Sequence, residues 1–124
     1  MKISQVMTNR VCLLKAQDTV LDAAKALADH DIGVIPITRD DRLCGVVTDR
    51  DIVVRVIAKG QDPASTTLES IASNETKYCY DDEDSEHVAR NMDELLVRRL
   101  PVVDRNKRLV GIVSIEDLRP RKAA

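Results

Sequence analysis

An internal repeat constrains this chain more than any other feature. Shifting the sequence by 65 positions places Ile3–Asn9 on Leu68–Asn74. After the prolines of both copies the shift becomes 66 and places Gly45 on Gly111. The added residue of the second copy falls in a polar turn, where a structural repeat tolerates a change of length. The chain is therefore predicted to contain two copies of one small unit, assigned to residues 1–62 and 63–124.

Hydrophobic periodicity predicts the same elements in both copies, namely a short helix, a strand, a helix, two strands and a helix. In the first copy the elements after the short helix are placed at 11–14, 19–29, 34–38, 43–47 and 49–59. In the second copy they are placed at 76–80, 85–98, 101–104 and 109–113, with a last helix cut short by Pro120. Residues 59–67 are predicted to form the linker.

The fold class that follows is mixed α/β (α+β), with two tandem β-α-β-β-α repeats. A repeat of about 60 residues buries only about 60% of its unfolded surface and is marginal alone. The two copies are therefore expected to pack through their sheets into one compact module with pseudo-two-fold symmetry. A homodimer would bury further surface in the same way and is also expected.

Composition argues against several classes of function. The 19 basic and 21 acidic residues leave a net charge of −2, which offers no general attraction to nucleic acid or to an anionic membrane. No apolar run approaches the roughly 18 residues of a membrane span, and the start lacks a signal peptide, so a cytoplasmic location is expected. The three cysteines (Cys12, Cys44 and Cys79) are scattered and fit small core residues better than disulfides or metal ligands.

The sequence also lacks the usual signs of an enzyme. It shows no Ser-His-Asp or Cys-His arrangement, no glycine-rich phosphate loop and no metal-ligand cluster. The chain is therefore expected to be non-catalytic and to have no metal site.

A paired motif is the strongest functional signal. Gly45–Asp51 reads GVVTDRD and Gly111–Asp117 reads GIVSIED, so each apolar strand ends in a hydroxyl that a carboxylate follows three residues later. One interpretation is a capping box, in which the hydroxyl and the acid stabilise the start of a helix. The other is a ligand site, because a carboxylate can accept hydrogen bonds from both ribose hydroxyls and a hydroxyl can donate to phosphate or sugar. The two glycines would then let backbone or base approach closely.

The chain resembles a tandem pair of CBS domains, the regulatory modules named after cystathionine β-synthase, and in particular the small stand-alone bacterial members. The residues that carry the resemblance are VMT (Val6–Thr8), GVIPI (Gly33–Ile37), GVVTDRDIVVRVIAKGQDP (Gly45–Pro63), RRLPVVD (Arg98–Asp104) and GIVSIEDL (Gly111–Leu118). The resemblance implies a disc-like dimer, paired head-to-head or head-to-tail. It also implies clefts between the repeats that bind AMP, ADP, ATP or S-adenosylmethionine.

The family's motif transfers residue by residue onto this sequence. It implies that Thr48 and Ser114 contact phosphate or sugar and that Asp51 and Asp117 hold the ribose hydroxyls. The implied base contacts are Val34, Ile35, Pro36, Arg99, Leu100 and Pro101. No cofactor is required, and the adenine nucleotide would bind as a ligand, with or without Mg²⁺.

Two other groups of residues have alternative interpretations. Arg50, Arg98 and Arg99 are either phosphate partners or solvated surface residues. Tyr78 and Tyr80 are predicted to share one face of a strand, where one could stack on adenine or both could simply pack.

The leading hypothesis is a regulatory module that senses an adenine nucleotide and signals to a regulated protein in trans, since no effector domain is recognised in the chain. The alternative is a ligand-free dimerisation scaffold whose motifs only cap helices.

Overall fold

The computed structural model of the protein describes residues 1–9, 14–30, 34–73 and 76–118. These residues form two compact units. The continuous unit holds the described residues within 12–76, and the composite unit holds those within 1–11 and 77–124. In this described part of the chain, no helix has the length and apolar character needed to cross a membrane.

The continuous unit is a three-stranded sheet with helices. Its elements are β1 (Leu14–Lys15), α1 (Val20–His30), β2 (Val34–Arg39), β3 (Arg42–Thr48), α2 (Asp49–Ile52), a π-helical turn (Val53–Ile57) and a 3-10 turn (Leu68–Ser70). The strands lie in the order β1-β2-β3, with β1 parallel and β3 antiparallel to β2. Apolar side chains of α1, β2, β3 and the helical segment after β3 form its core.

The composite unit repeats this plan. Its elements are a 3-10 turn (Ile3–Gln5), β4 (Cys79–Tyr80), α3 (Ser85–Leu95), β5 (Arg99–Val103), β6 (Leu109–Ser114) and α4 (Ile115–Leu118). The strand order is β4-β5-β6, again with one parallel and one antiparallel pair. The predicted α/β fold with two three-stranded sheets is confirmed, whereas the packing of the copies through their sheets stays a prediction.

Two short segments, here called the first arm (Ile3–Thr8) and the second arm (Leu68–Ser73), each complete the unit built from the other sequence copy. The first arm buries Ile3 in the core of the composite unit. The second arm buries Leu68 in the core of the continuous unit. The two compact units therefore differ from the predicted repeats, 1–62 and 63–124, because each unit takes its arm from the other repeat. The repeat boundaries themselves stay a prediction.

Backbone pairing fixes each arm beside the last strand of a sheet. In the composite unit Thr8 and Ile112 exchange hydrogen bonds, with N–H···O distances of 2.9 and 3.0 Å. In the continuous unit the Ser73 N–H donates to the carbonyl of Val46 at 3.1 Å. Each arm thus extends its sheet beyond the three strands by an isolated bridge.

Glycine is needed where the arms pass. A Cβ added to Gly45 would lie 2.8 Å from the Ser73 carbonyl oxygen, and one added to Gly111 would lie 2.8 Å from that of Thr8. Both contacts are with backbone, which cannot move aside cheaply. The sequence allowed for the approach of backbone or base at these glycines, and in the structure it is backbone that approaches.

Three predicted elements end or begin elsewhere. The helix expected at 49–59 is one α-helical turn followed by the π-helical turn. The helix expected at 85–98 ends at Leu95, because Leu96 adopts a left-handed conformation with φ 58°. The strand expected at 76–80 contains only Cys79 and Tyr80.

Two other expectations fall partly or wholly outside the described residues. Of the strand expected at 11–14, only Leu14 is described, and it lies in β1. Pro120 and the chain after it lie outside the described residues.

Candidate functional site

The first motif lies where β3 passes into α2. The Thr48 N–H donates to Asp51 Oδ2 at 2.9 Å, and the Asp51 N–H donates to Thr48 Oγ1 at 3.1 Å. The spacing of three residues makes this exchange possible, because residue N3 of a helix lies beside its N-cap. The capping-box interpretation is confirmed here.

The second motif lies where β6 passes into α4 and has the same geometry. The Ser114 N–H donates to Asp117 Oδ2 at 2.9 Å, and the Asp117 N–H donates to Ser114 Oγ at 3.3 Å. Each carboxylate therefore commits one oxygen to the cap and keeps Oδ1 for another partner. Capping and ligand binding are compatible in both motifs, since a carboxylate has about four lone-pair positions.

The strand ladder places one further predicted residue beside each motif. Val34 of β2 is directly opposite Thr48, and Arg99 of β5 is directly opposite Ser114. Directly opposite residues of a ladder direct their side chains to the same face. Val34 and Arg99 are thus brought together with the hydroxyls of their motifs.

The other predicted base contacts point elsewhere or are covered. The side chains of Ile35 and Leu100 are 0% and 4% exposed and belong to the two cores. Pro36 and Pro101 are also buried. The side chains of Ile35 and Leu100 are therefore not accessible to a ligand in this arrangement, because they are part of the cores.

Arg55 is a site residue that the sequence reasoning missed. Its Nε lies 3.7 Å from Asp51 Oδ1, and its Nη1 donates to the Ile71 carbonyl at 3.0 Å. It links the motif carboxylate, whose side chain is only 17% exposed, to the second arm. The spacing of four residues between Asp51 and Arg55 could have found it, because such pairs share one face of a helix.

The second motif has different charged neighbours. Arg98 forms an ion pair with Glu116, and both side chains are exposed. A hydrogen bond from its own backbone N–H, followed by one from Arg98, lowers the pKa of the Glu116 carboxyl. Asp117 is exposed, unlike Asp51. Arg98, one of the three candidate phosphate partners, is thus already engaged by a carboxylate.

The third candidate arginine, Arg50, lies on the helical segment after Thr48. It is exposed and lines a shallow cavity of about 540 Å³ together with Asp49, Val53 and Val54. Val53, Val54 and Ile57 are exposed as well. The outer face of this segment is therefore an apolar surface with charges at one end.

The two tyrosines pack against each other and against cations. Their rings meet edge to face with centroids 5.7 Å apart. The Arg105 guanidinium lies 4.1 Å from the centroid of Tyr80, and Lys107 Nζ lies 5.4 Å from that of Tyr78. Arg105 also holds Asp82 through two hydrogen bonds of 2.9 and 2.7 Å. Because cations occupy ring faces that adenine would need, this arrangement favours the packing interpretation.

The two described cysteines are structural in character. Burial, followed by the nearby Glu83 and Asp81 carboxylates, raises the pKa of the Cys79 thiol to about 12. Cys79 is therefore protonated at neutral pH and is a poor nucleophile or metal ligand. Cys44 donates from Sγ to the Ile37 carbonyl at 3.3 Å. Within residues 1–9, 14–30, 34–73 and 76–118, no cluster of three or more His, Cys, Asp or Glu residues could hold a metal ion.

Two copies of a β-α-β-β-α unit, each carrying a hydroxyl and a carboxylate where its last strand meets a helix, define a tandem-repeat module of the α/β class. The CBS domain family matches residues 3–58 and 68–122, and the chain belongs to that family.

Relatives and solved structures agree with this assignment. Hypoxic response protein 1 of Mycobacterium tuberculosis is 38% identical over 114 residues, which cover 91% of this chain and 79% of that protein. A crystal structure of hypoxic response protein I with two coordinated zinc ions superposes with a TM-score of 0.83 at 36% identity, covering 95% of this chain and 96% of that chain.

Two further structures are of CBS proteins with bound ligands or a known assembly. The CBS domain pair of protein MJ0100, in complex with 5′-methylthioadenosine and S-adenosyl-L-methionine, has a TM-score of 0.78 at 28% identity and covers 95% of this chain and 92% of that chain. The hexameric CBS-CP12 protein from bloom-forming cyanobacteria has a TM-score of 0.72 at 29% identity, covering 95% and 70%. CBS proteins related to this chain thus bind adenosyl ligands and form oligomers.

Proposed function

We propose that this protein is a non-catalytic regulatory module that binds an adenine nucleotide at its two motifs and signals to a regulated protein in trans. The observation that carries the proposal is the duplicated hydroxyl and carboxylate pair, in which capping uses only Oδ2 of each carboxylate. Even at Asp51, where Arg55 Nε lies 3.7 Å from Oδ1, a carboxylate has lone pairs left for ribose hydroxyls. The complex of the MJ0100 pair with two adenosyl compounds supports the adenosine part of this ligand. The proposal includes a cytoplasmic location, which the sequence predicts.

Thermal unfolding against AMP, ADP, ATP and S-adenosylmethionine, each with and without Mg²⁺, tests the proposal. A ligand at about 100 times its dissociation constant adds about 2.7 kcal/mol of stability, which is a shift of several degrees for a chain of this size. Magnesium would enter with the nucleotide phosphates, since the proposed site contributes few metal ligands of its own.

Substitution of the motif carboxylates locates the binding. Asp51→Asn and Asp117→Asn keep an oxygen that can accept the capping hydrogen bond but remove the carboxylate charge. The double variant should lose the ligand-induced shift while its own melting temperature changes little. Asp49→Asn is the matched control, because Asp49 is exposed and lies outside the hydroxyl and carboxylate pair. Full retention of the shift in the double variant would refute the proposed site.

The ligand-free scaffold remains the second candidate, and the closed capping boxes are the observation that favours it. It predicts no shift with any nucleotide in protein shown to be free of bound ligand. It also predicts that Asp51→Ala and Asp117→Ala reduce stability by about 0.5–2 kcal/mol each, as a lost cap does.

A homodimer is part of the proposal in both cases. Val53, Val54 and Ile57 are 58%, 47% and 55% exposed on one helical segment, which is an unusual concentration of large apolar side chains. We expect a second copy of the chain to cover them. Light scattering should show a dimer that Val54→Asp converts to monomer, whereas the exposed control Lys59→Asp leaves it intact. A monomeric parent protein would overturn this part of the proposal.

A further inference from the structure

We infer that a basic groove on the continuous unit binds the phosphate group of a small molecule. The groove has a volume of about 460 Å³ and lies where the end of the helical segment after β3 meets the second arm. Its lining residues are Arg55, Lys59, Gln61, Ser70 and Ile71. The hydroxyls and carboxylates of the two motifs do not line it, so phosphate binding there does not depend on the proposed function.

Charge is the first property that points to an anion. Two of the lining side chains, Arg55 and Lys59, are cations, and no carboxylate of the described residues lines the groove. The other polar side chains there, Gln61 and Ser70, are neutral. Two like charges around one groove repel each other, and a bound anion would replace that repulsion by attraction.

The carboxylates that lie close to the groove along the chain are engaged elsewhere. Asp62 accepts the Ala64 N–H at 3.0 Å, and Glu69 forms an ion pair with Arg39. Lys59 is exposed, and among the described residues its ammonium makes no hydrogen bond or ion pair. All three of its N–H donors are therefore available to a ligand.

Arg55 is held in place and still has donors to spare. Its Nε lies 3.7 Å from Asp51 Oδ1, and its Nη1 donates to the Ile71 carbonyl at 3.0 Å. A guanidinium has five N–H donors, so Nη2 and the second N–H of Nη1 remain for a ligand. Because the two contacts already fix the side chain, less conformational entropy is lost when an anion binds.

The number and kind of donors favour phosphate over a carboxylate. Arg55, Lys59 and Gln61 each offer N–H groups, and a phosphate monoester presents three strong acceptor oxygens. A guanidinium matches two of these oxygens with its fork, and an ammonium adds a point charge. Ser70 and Ile71 supply the opposite wall, which belongs to the second arm.

A phosphate in this groove would also fasten the second arm. Arg55 already bonds to the arm through the Ile71 carbonyl, and an anion would restrict its remaining freedom. Farther along the arm, the Ser73 N–H donates to the Val46 carbonyl at 3.1 Å. Hydrogen exchange of this N–H should slow when phosphate is bound, and unchanged exchange at saturation would refute the effect on the arm.

NMR titration of the full chain with inorganic phosphate and with glycerol 3-phosphate, at constant ionic strength in chloride, tests the site. We expect saturable shifts in the amides of residues 55–61 and 70–73. Lys59→Gln breaks no contact of the described residues and should weaken binding about tenfold or more, because a hydrogen-bonded charge is lost. Equal affinities would support recognition of the free phosphate ion, and tighter binding of glycerol 3-phosphate would support a phosphorylated compound.

Arg42→Gln is the matched control, since Arg42 is an exposed cation of the same unit that does not line the groove. It should leave the affinity within about twofold. Shifts that do not saturate, or an equal loss in Lys59→Gln and Arg42→Gln, would overturn the site. A loss in Arg50→Gln but not in Lys59→Gln would place the phosphate at the first motif and also overturn it. Thermal unfolding with nucleotides tests the two motifs separately, so either site can fail alone.

Discussion

The two motifs have the same capping hydrogen bonds but different surroundings. Asp51 is half-buried and has Arg55 beside its second oxygen, and Val34 lies opposite Thr48 of the same motif. Asp117 is exposed, and its motif has Arg99 and the Arg98–Glu116 pair as neighbours. The local scaffold follows from backbone geometry and is the same in both copies. The charged side chains around this scaffold differ between the copies.

The largest loss of stability should come from substitutions in the arms. Both arms are equally buried, but the first arm pairs with a strand much farther away along the chain than the second arm does. Ile3 and Leu68 are equivalent in the repeat, and both are 0% exposed. Ile3→Ala and Leu68→Ala should each lower the free energy of unfolding of their unit by about 2–5 kcal/mol. Urea unfolding measures this, with the exposed Ser4→Ala as control. A loss below about 1 kcal/mol for Ile3→Ala alone would show that the first arm is only loosely attached.

The glycines under the arms should give the next largest effect. Gly45→Ala and Gly111→Ala each place a Cβ 2.8 Å from a backbone carbonyl oxygen, so an arm must shift. We expect a cost of about 1–3 kcal/mol in each case. Proteolysis should reveal the displaced arm as a new cleavage region. Gly60→Ala is a contrasting variant, because its Cβ would meet nothing within 4 Å and its cost would arise from φ 70° alone.

Removal of the capping hydroxyls should reduce stability by a smaller amount, and by different amounts in the two motifs. Thr48→Ala and Ser114→Ala should each cost about 0.5–2 kcal/mol, and the loss should be larger at Thr48. Water replaces a lost hydrogen bond less well where the carboxylate is half-buried, as Asp51 is. Thermal unfolding checks the order, with Thr48→Ser and Ser114→Thr as variants that keep the hydroxyl. Equal losses of stability at the two positions would show that the burial of Asp51 does not strengthen its cap.

The smallest effect concerns acid stability at the first turns of α1 and α3. Hydrogen bonds from the His87 N–H to Asp84, and from the Thr19 N–H to Asp22, lower the pKa of each carboxyl below its ordinary value of 3.8. A depressed pKa contributes stability that is present above the unfolded value and is lost as pH falls through the folded one. Stability should therefore decline below about pH 4.

Asp22→Asn and Asp84→Asn identify the two contributions to this decline. Each should make the acid limb of a urea-unfolding series shallower, because asparagine caps without titrating. The series runs from about pH 6 to about pH 2. If neither substitution alters the slope, acid loss originates elsewhere, for example at Asp82, whose carboxyl pKa Arg105 lowers.

Features that depend on neighbours in sequence could be predicted, and those that depend on distant parts of the chain could not. The three-residue spacing of Thr48 and Asp51 sets the capping box by itself. The repeat offset correctly placed the added residue of the second copy between β5 and β6. The positions of Val34 and Arg99 beside the hydroxyls follow from strand pairing, which alternating patterns indicate only roughly.

The errors have physical causes. Leu96 ends α3 in a left-handed conformation and donates its N–H to the Asp93 and Met92 carbonyls, a cap for which leucine gives no signal in the sequence. The π-helical turn after α2 likewise has no signal in local helix preference. The pairing of each arm with the opposite copy joins segments far apart in sequence, such as Thr8 and Ile112, and leaves no periodic signal. Burial of Ile35 could have been inferred, because it lies in a short, mostly apolar strand whose residues 35–38 are all buried.

The exchange of arms also sets an order for biosynthesis. The continuous unit, including its second arm, is complete once residues up to Ser73 have left the ribosome. The first arm is made well before its partner strand β6, which follows about a hundred residues later. We therefore predict that protease digestion of stalled nascent chains will show residues 1–9 cleavable until β6 emerges, and early protection would refute this. The apolar residues of the first arm would therefore stay exposed throughout the synthesis of the continuous unit, and during that time they would be available to the chaperones of the cell.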